Sequence, residues 1–209
     1  MDLIGFLFRW SHVLFGITWI GMLYYFNFIQ GGYFKQASAE GLADAKAKLA
    51  PSALWWFRWG AMGTFITGLA LLGKLAIGLN NYIIVGAIFG TIMFLNVWLI
   101  IWPNQKIALG MAEGDAPAAG AKALLASRHN VLYSAPMAFC MLASGHPDPS
   151  LGWSLYSSMS NSLIVMLVII AALQANAMFG KQGPLTTVKG VIHASLGLTA
   201  VMVLVFNYV

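Results

Sequence analysis

The sequence is poor in charged residues and in cysteine, and both shortages narrow the class of protein. Only 8% of its 209 residues are Asp, Glu, Lys or Arg, whereas soluble domains carry roughly 25%. The single cysteine, Cys140, excludes an internal disulfide and a CxxCH attachment site for covalent haem. We therefore expect one transmembrane helical domain over residues 1–209, with no room for a second, soluble domain.

Long apolar runs are what the sequence has in abundance, since 60% of its residues are hydrophobic. Six runs approach the ~20 residues that a helix needs to cross a bilayer. Pro103 is expected to end the third run. The pattern predicts an all-α, polytopic integral membrane helix bundle with about six transmembrane helices: Leu3–Ile29, Leu54–Ala76, Tyr82–Trp102, His129–Gly145, Tyr156–Phe179 and Leu185–Tyr208.

Basic residues predict the orientation of this bundle. The net charge of +5 rests on few residues and does not indicate a nucleic-acid partner. By the positive-inside rule, loops rich in Lys and Arg lie in the cytoplasm, which places both termini in the periplasm of a bacterial inner membrane. Eight of the 11 basic residues lie in three alternate loops: Lys35, Lys46, Lys48, Lys106, Lys122, Arg128, Lys181 and Lys189.

Two of these loops carry helix signals of their own. Ser38–Leu49 has a capping residue, an acidic start and a basic finish, and Ala116–Ser127 is rich in alanine. We expect both to form short cytoplasmic interfacial helices. A solvated connector is the simpler interpretation of their charged faces, and a docking surface is the alternative.

Two histidines lie inside apolar runs, His12 in the first and His193 in the last. An ionisable residue at membrane depth is costly, so it tends to face the bundle interior and to have a function. Small neighbours on the same helix face allow close helix approach or leave room for a flat macrocycle. The residues that share a face with one histidine or the other are Gly16, Trp19, Gly190 and Gly197.

The depths of the two histidines point to a shared cofactor. At ~1.5 Å per residue, His12 lies about 14 Å from the periplasmic edge and His193 about 12 Å from the cytoplasmic edge. In a core about 30 Å thick, their heights then differ by only about 4 Å. We predict haem b with both histidines as axial metal ligands, whereas His129 and His146 are expected at the membrane interfaces. Structural histidines and, less favoured, a transition-metal site remain alternatives.

Polar residues in the cytoplasmic half of the runs form a second candidate site. Together with Arg128 they can line a cavity for a small anionic or heterocyclic substrate. Interhelical hydrogen bonding is the alternative interpretation. The residues concerned are Asn27, Gln30, Asn96, Gln174 and Asn176.

Three segments resemble a known family: RWSHVLFGITWIGMLYYFNFIQ at Arg9–Gln30, FLNVWLIIWPNQKIALG at Phe94–Gly110 and SRHNVLYSAPMAFCM at Ser127–Met141. They are similar to the urate oxidase N-terminal family, the membrane domain of urate hydroxylases. The resemblance implies an inner-membrane domain followed by a cytochrome c domain, with urate oxidised and electrons passed to the respiratory chain. Because the chain has no CxxCH, we expect a stand-alone version that uses a separate electron acceptor.

A shorter pattern in the first run resembles two other membrane families. Trp10, His12, Gly16, Trp19 and Gly21 are spaced as in the first helix of small haem-dependent protoporphyrinogen oxidases and of copper-resistance D proteins. This resemblance implies that a histidine in the first helix is a haem or metal position.

Three functions follow as hypotheses. The first is a haem b electron carrier that works with a periplasmic c-type cytochrome or a larger respiratory membrane complex. The second is a urate-oxidising enzyme whose cavity uses Arg128, Asn96 and Gln105 to bind the substrate. The third is a cofactor-free accessory subunit of a larger complex. Membrane lipid surrounds the protein in each case, and a homo-oligomer is compatible with all three.

Overall fold

The computed structural model describes residues 3–74, 79–146, 160–180 and 182–209. Within these ranges the chain is helical and contains no strand, which confirms the all-α class. The helices are α1 (Leu3–Gln36), α2 (Ala39–Asp44), α3 (Ala50–Lys74), α4 (Asn81–Ala108), α5 (Ala116–Ser144), α6 (Asn161–Phe179) and α7 (Val188–Tyr208).

Four of the described helices, α1, α4, α6 and α7, are long and apolar enough to cross a membrane. Large apolar side chains cover their exposed surfaces, as Ile17 on α1 and Val168 on α6 illustrate. Soluble proteins rarely expose contiguous apolar surface on this scale. The chain is therefore a membrane protein built from apolar helices.

The helix ends differ from the predicted span ends. α1 continues past Ile29 to Gln36, through a π-helical segment at Tyr25–Gln30. α4 likewise continues through Pro103 to Ala108, so the prediction that this proline ends the third span was wrong. Pro103 follows a second π-helical segment, Asn96–Ile101, and occupies the first turn of the regular helix. Because Pro103 has no N–H, it cannot donate to a carbonyl of the preceding turn, and the irregular segment before it is where the backbone ladder departs from the regular α-helical pattern.

The two loops with helix signals had different outcomes. Ser38–Leu49 is helical as predicted: α2 is followed by a π-helical segment at Ala45–Leu49 that leads directly into α3. The Ser38 hydroxyl caps α2 by accepting the Gly41 N–H at 3.2 Å. Ala116–Ser127 is not a separate interfacial helix, because nothing between it and the predicted fourth span interrupts the backbone ladder of α5.

The last two spans begin later than predicted. The first residues of the fifth predicted span, 156–159, lie outside the described residues, and α6 begins at Asn161 with the Ser160 hydroxyl as its cap. A 3₁₀ turn at Gly183–Thr186 precedes α7, whose cap is Thr187. Of the residues that mark the break between the second and third spans, Gly78 also lies outside the described part.

Residue contacts divide the chain into two compact units. The first comprises Met1–Leu71 and Met93–Val131, and the second comprises Leu72–Ile92 and Leu132–Val209. The largest fully buried side chains of the first unit include Trp19, Phe57, Leu23, Leu54 and Met93. Those of the second unit include Tyr133, Phe89, Met166 and Met202. That residues 1–209 form one domain stays a prediction.

Within the first unit, α1 packs closely against a row of small residues on α3. Gly60, Thr64 and Gly68 are spaced four residues apart and so share one face. A Cβ added to Gly60 would lie 3.0 Å from the backbone nitrogen of Trp19. Small residues at this spacing allow the close backbone approach on which helix packing in membranes depends. The contact holds His12 of α1 against α3.

Candidate functional site

His12 is held in a defined orientation by α3. Its Nδ1 lies 2.9 Å from the Thr64 carbonyl oxygen and 3.1 Å from Thr67 Oγ1. A carbonyl oxygen only accepts, so Nδ1 carries the ring proton and Nε2 carries the lone pair. The Thr67 hydroxyl itself donates to the Gly63 carbonyl at 2.7 Å. Gly68 provides the space, because a Cβ there would lie 3.1 Å from His12 Cε1.

This orientation is the one that metal-ligating histidines adopt. Their second nitrogen usually donates to a carbonyl or carboxylate, which sets the tautomer and aims the other nitrogen at the metal. The same two hydrogen bonds would also satisfy a purely structural histidine. Among the described residues, no group of three or more His, Cys, Asp and Glu side chains is placed to hold a metal ion.

His193 lies on the exposed side of α7. It belongs to the second unit, whereas His12 belongs to the first. Joint ligation of one haem by the two histidines therefore stays a prediction.

The residues predicted to lie beside the cofactor differ in how much space surrounds them. A Cβ added to Gly16 or Gly197 would meet nothing within 4 Å. At Gly190 it would collide with the Pro184 carbonyl, so this glycine is required by the turn that begins α7. Trp19 is buried, and its indole Nε1 has no hydrogen-bond partner among the described residues.

A cavity of about 420 Å³ lies within the first unit, between the C-terminal part of α1, the segment that follows α2, the end of α4 and the start of α5. Its volume is in the range of small-molecule sites, which are usually apolar with a few convergent polar groups. Phe26 and Phe34 contribute aromatic surface. The polar lining residues are Asn27, Gln30, Lys46, Gln105 and Ser127.

Asn27 supplies an unpaired acceptor to this lining. Its Nδ2 donates to the Leu23 carbonyl at 2.8 Å and to Ser127 Oγ at 2.7 Å. The Leu23 carbonyl can only accept, so the amide cannot be flipped and Oδ1 lies on the other side. Asn27 Oδ1 and Gln30 Oε1 are both buried without a hydrogen-bond partner. A buried unpaired acceptor costs roughly 1–3 kcal/mol, which a ligand N–H would offset.

The cavity lies next to irregular helix. Asn27 and Gln30 belong to the π-helical segment Tyr25–Gln30, and Lys46 belongs to the segment Ala45–Leu49. π-Helical turns are rare and occur frequently at functional sites, because the extra residue per turn moves side chains off the regular helix faces. Such turns have no sequence signature that would have revealed them here.

Of the three predicted substrate-binding residues, the structure places Gln105 in the cavity lining and the other two elsewhere. Asn96 Nδ2 donates to Asn130 Oδ1 at 2.8 Å, and Asn130 Nδ2 donates to the Met93 carbonyl at 3.0 Å, in a buried network. Arg128 is half-buried on α5 and is not among the lining residues.

The remaining polar candidates lie outside the cavity lining. Gln174, grouped with Asn27 in the sequence, belongs to the second unit and accepts from the Tyr133 hydroxyl at 3.0 Å. Asn176 lies on the same helix, α6, and is exposed. His129, expected at an interface, is only 5% exposed, whereas His146 is exposed beyond the end of α5.

Sequence reasoning missed two residues that line the cavity. Lys46 was counted as a loop charge, and Ser127 was placed in an interfacial helix. The feature of the sequence that could have identified them is their closeness to the predicted cytoplasmic helix ends, where Asn27 and Gln30 also lie.

The sequence model of the family described as "Urate oxidase N-terminal" matches residues 73–207, which is more than half of the chain. The chain belongs to the urate oxidase N-terminal family. This result confirms the resemblance, and the match includes two of its three segments, Phe94–Gly110 and Ser127–Met141. No curated protein and no solved structure matches the chain significantly. The protein is thus a membrane domain related to that of urate hydroxylase.

Some candidate residues of this urate oxidase N-terminal protein lie inside the region that the family model matches, and others precede it. Gln105, Ser127 and His193 lie inside the matched region. His12 and the cavity residues of α1 lie before it.

Proposed function

We propose that this protein is a membrane oxidoreductase that binds a planar, urate-like heterocycle in the cavity of the first unit. One observation carries the proposal: a chain of the urate oxidase N-terminal family has two buried, unpaired amide oxygens, Asn27 Oδ1 and Gln30 Oε1, on residues that line a cavity of ligand size. A buried acceptor without a partner calls for a donor that comes with the ligand.

The chemistry of the lining matches that of urate. The ring N–H groups of urate are donors for the oxygens of Asn27 and Gln30. The Gln105 amide and the exposed Lys46 ammonium offer donors for its carbonyl oxygens. Urate is a monoanion at neutral pH, so the positive charge of Lys46 is also favourable. The apolar face of Phe26 suits a flat ring.

The reaction that we propose is hydroxylation of the ring by water. One C–O bond forms between the ring and a water oxygen, and two protons and two electrons leave. The electrons pass to a separate acceptor, a periplasmic c-type cytochrome or a larger respiratory membrane complex. The cavity residues hold and orient the heterocycle. The positive charge of Lys46 stabilises the urate anion beside it.

The test is binding of urate to the detergent-purified protein by titration calorimetry, together with turnover in the presence of a cytochrome c. Gln30→Met removes one acceptor and keeps the side-chain volume, and we expect about a tenfold loss of affinity. Gln182→Met is the matched control, because Gln182 Oε1 is also buried and unpaired but lies in the other unit. Absence of binding, or equal affinity in both variants, would contradict the proposal.

N-methylated urates extend this test without mutation. A methyl group that replaces the N–H facing Gln30 or Asn27 leaves the buried acceptor unpaired, and sites of this kind discriminate strongly. At least one methylated urate should therefore bind much more weakly than urate. Equal binding of all of them would place the ring elsewhere.

For the topology, we propose six spans in a bacterial inner membrane with both termini periplasmic. α3 and α5 have 25 and 29 residues, and so both exceed the ~20 residues that a span requires. Their polar residues, such as Thr64 and Asn130, are buried within the protein rather than exposed to lipid.

A second candidate function is a haem b electron carrier, and the orientation of His12 favours it. The hydrogen bond from Nδ1 leaves the Nε2 lone pair for an iron, and a Cβ at Gly16, one turn along the same helix, would meet nothing within 4 Å, which leaves room for a flat ring. His193 would be the second ligand. A haem would supply one-electron transfer between the membrane and a cytochrome.

The absorption spectrum of purified protein, oxidised and dithionite-reduced, tests this second candidate. Two histidine ligands predict a low-spin spectrum, and His12→Ala or His193→Ala should each abolish or convert it. His146→Ala, at an exposed position, is the control and should leave it unchanged. A protein without haem and without urate binding would leave the accessory-subunit hypothesis.

A further inference from the structure

We propose that Arg58 and Lys106 form a binding site for the phosphate headgroup of an anionic phospholipid. Both cations lie over the ring of Trp102: Arg58 Cζ is 3.5 Å from the ring centroid, and Lys106 Nζ is 5.6 Å from it. Arg58 comes from α3, and Trp102 and Lys106 come from the last turns of α4. The site lies wholly within the first unit.

The two cations lack a negative partner. Asp44 and Lys48 form an ion pair, and among the described residues no carboxylate lies within ion-pair distance of Arg58 or Lys106. Two positive charges close to one ring repel each other where the surroundings are poorly solvated. An anion bound to both would offset this repulsion, and arginine and lysine are both common phosphate ligands.

The surroundings of the two cations are those of a bilayer interface. Trp55, Trp56 and Trp59, on the turn that carries Arg58, are 47%, 56% and 46% exposed. Exposed tryptophans gather at the level of lipid headgroups, where the ring is half in the apolar phase. Arg58 therefore lies at the depth of the phosphates, on the side of the membrane to which the basic loops belong.

A lipid suits this site better than the proposed substrate does. Neither Arg58 nor Lys106 lines the cavity of the first unit, and the tryptophans beside them face outward. The acyl chains of a phospholipid would cover these rings while its phosphate meets the two cations. The proposal does not depend on what the cavity binds.

The test measures the selectivity of the full-length protein for phosphatidylglycerol over phosphatidylcholine. Brominated forms of each lipid quench tryptophan fluorescence when they bind beside the rings, which yields a relative association constant. A cation near an anionic headgroup contributes about a fivefold preference. We therefore expect Arg58→Gln and Lys106→Gln each to lower the selectivity about fivefold. The control is Lys122→Gln, which removes an exposed charge at the start of α5 and should change it little.

A charge-conserving variant and a competition with inorganic phosphate separate lipid binding from misfolding and from binding of a soluble anion. Arg58→Lys retains the positive charge and should retain most of the selectivity even if Arg58→Gln folds poorly. Inorganic phosphate at constant ionic strength should not displace the lipid, since it lacks the acyl chains. Displacement by free phosphate would make the site one for a soluble anion. Selectivity that is unchanged in both glutamine variants would make Arg58 a simple interfacial anchor. Either result would overturn the proposal.

Discussion

Gly60 of α3 is the point at which the packing of the first unit can be tested most directly, by the substitution Gly60→Ala. The new Cβ would lie 3.0 Å from the Trp19 backbone nitrogen and 3.3 Å from its Cα. Carbon contacts are optimal at roughly 3.5–4.0 Å, so α1 and α3 must separate by about half an ångström. A backbone atom cannot rotate away as a flexible side chain can.

This separation has a second consequence through His12. The distance from its Nδ1 to the Thr64 carbonyl is 2.9 Å, and a rigid shift would stretch it to about 3.4 Å, beyond a good N–H···O bond. Overpacking of this kind costs typically 1–3 kcal/mol. We therefore expect Gly60→Ala to lower the free energy of unfolding by about that amount, with part of the loss from the weakened hydrogen bond.

Unfolding in mixed micelles with increasing SDS, followed by far-ultraviolet circular dichroism, measures this free energy. Gly21→Ala on α1 is the matched control, because a Cβ there would meet nothing within 4 Å. This control should not destabilise the protein, and the higher helix propensity of alanine should stabilise it by up to about 1 kcal/mol. If both variants unfold at the same SDS fraction, the close approach of α1 and α3 at Gly60 is refuted.

Three further predictions concern single groups and topology. Ser127→Ala removes the acceptor of an Asn27 N–H at 2.7 Å and should lower the free energy of unfolding by about 0.5–1.5 kcal/mol in the same assay; no change would mean that the bond is not formed. Tyr133→Phe removes the hydroxyl that donates to Gln174 at 3.0 Å and should cost a similar amount, whereas a stabilised variant would contradict the contact. A reporter active only in the periplasm should give signal when fused after Val209, and signal from a cytoplasmic reporter instead would require an odd number of spans or the opposite orientation.

Much of the fold follows from local sequence properties. Apolar runs of about 20 residues can satisfy their backbone hydrogen bonds in a membrane only as helices, so the all-α class could be read from composition. A capping residue in the sequence marks the start of a helix, as Ser38 does for α2. The ends of the longer helices were predicted less accurately than their existence. Pro103 and the junction near Ser127 show that a helix can continue through a proline that follows a π-helical segment and through an alanine-rich segment.

The candidate site shows the same division. From the sequence alone we predict that His12 lies at membrane depth and that Asn27 and Gln30 lie toward the cytoplasmic half of the first span, because depth along an apolar helix follows from local spacing. The sequence could not show that Lys46 and Ser127 line one cavity together with Asn27 and Gln30. Nor could it show that Asn96 lies outside this lining and donates a hydrogen bond to Asn130. Those outcomes depend on which helices meet and on where π-helical turns shift the register. Only the tertiary structure decides this, since it results from packing between residues far apart in the chain.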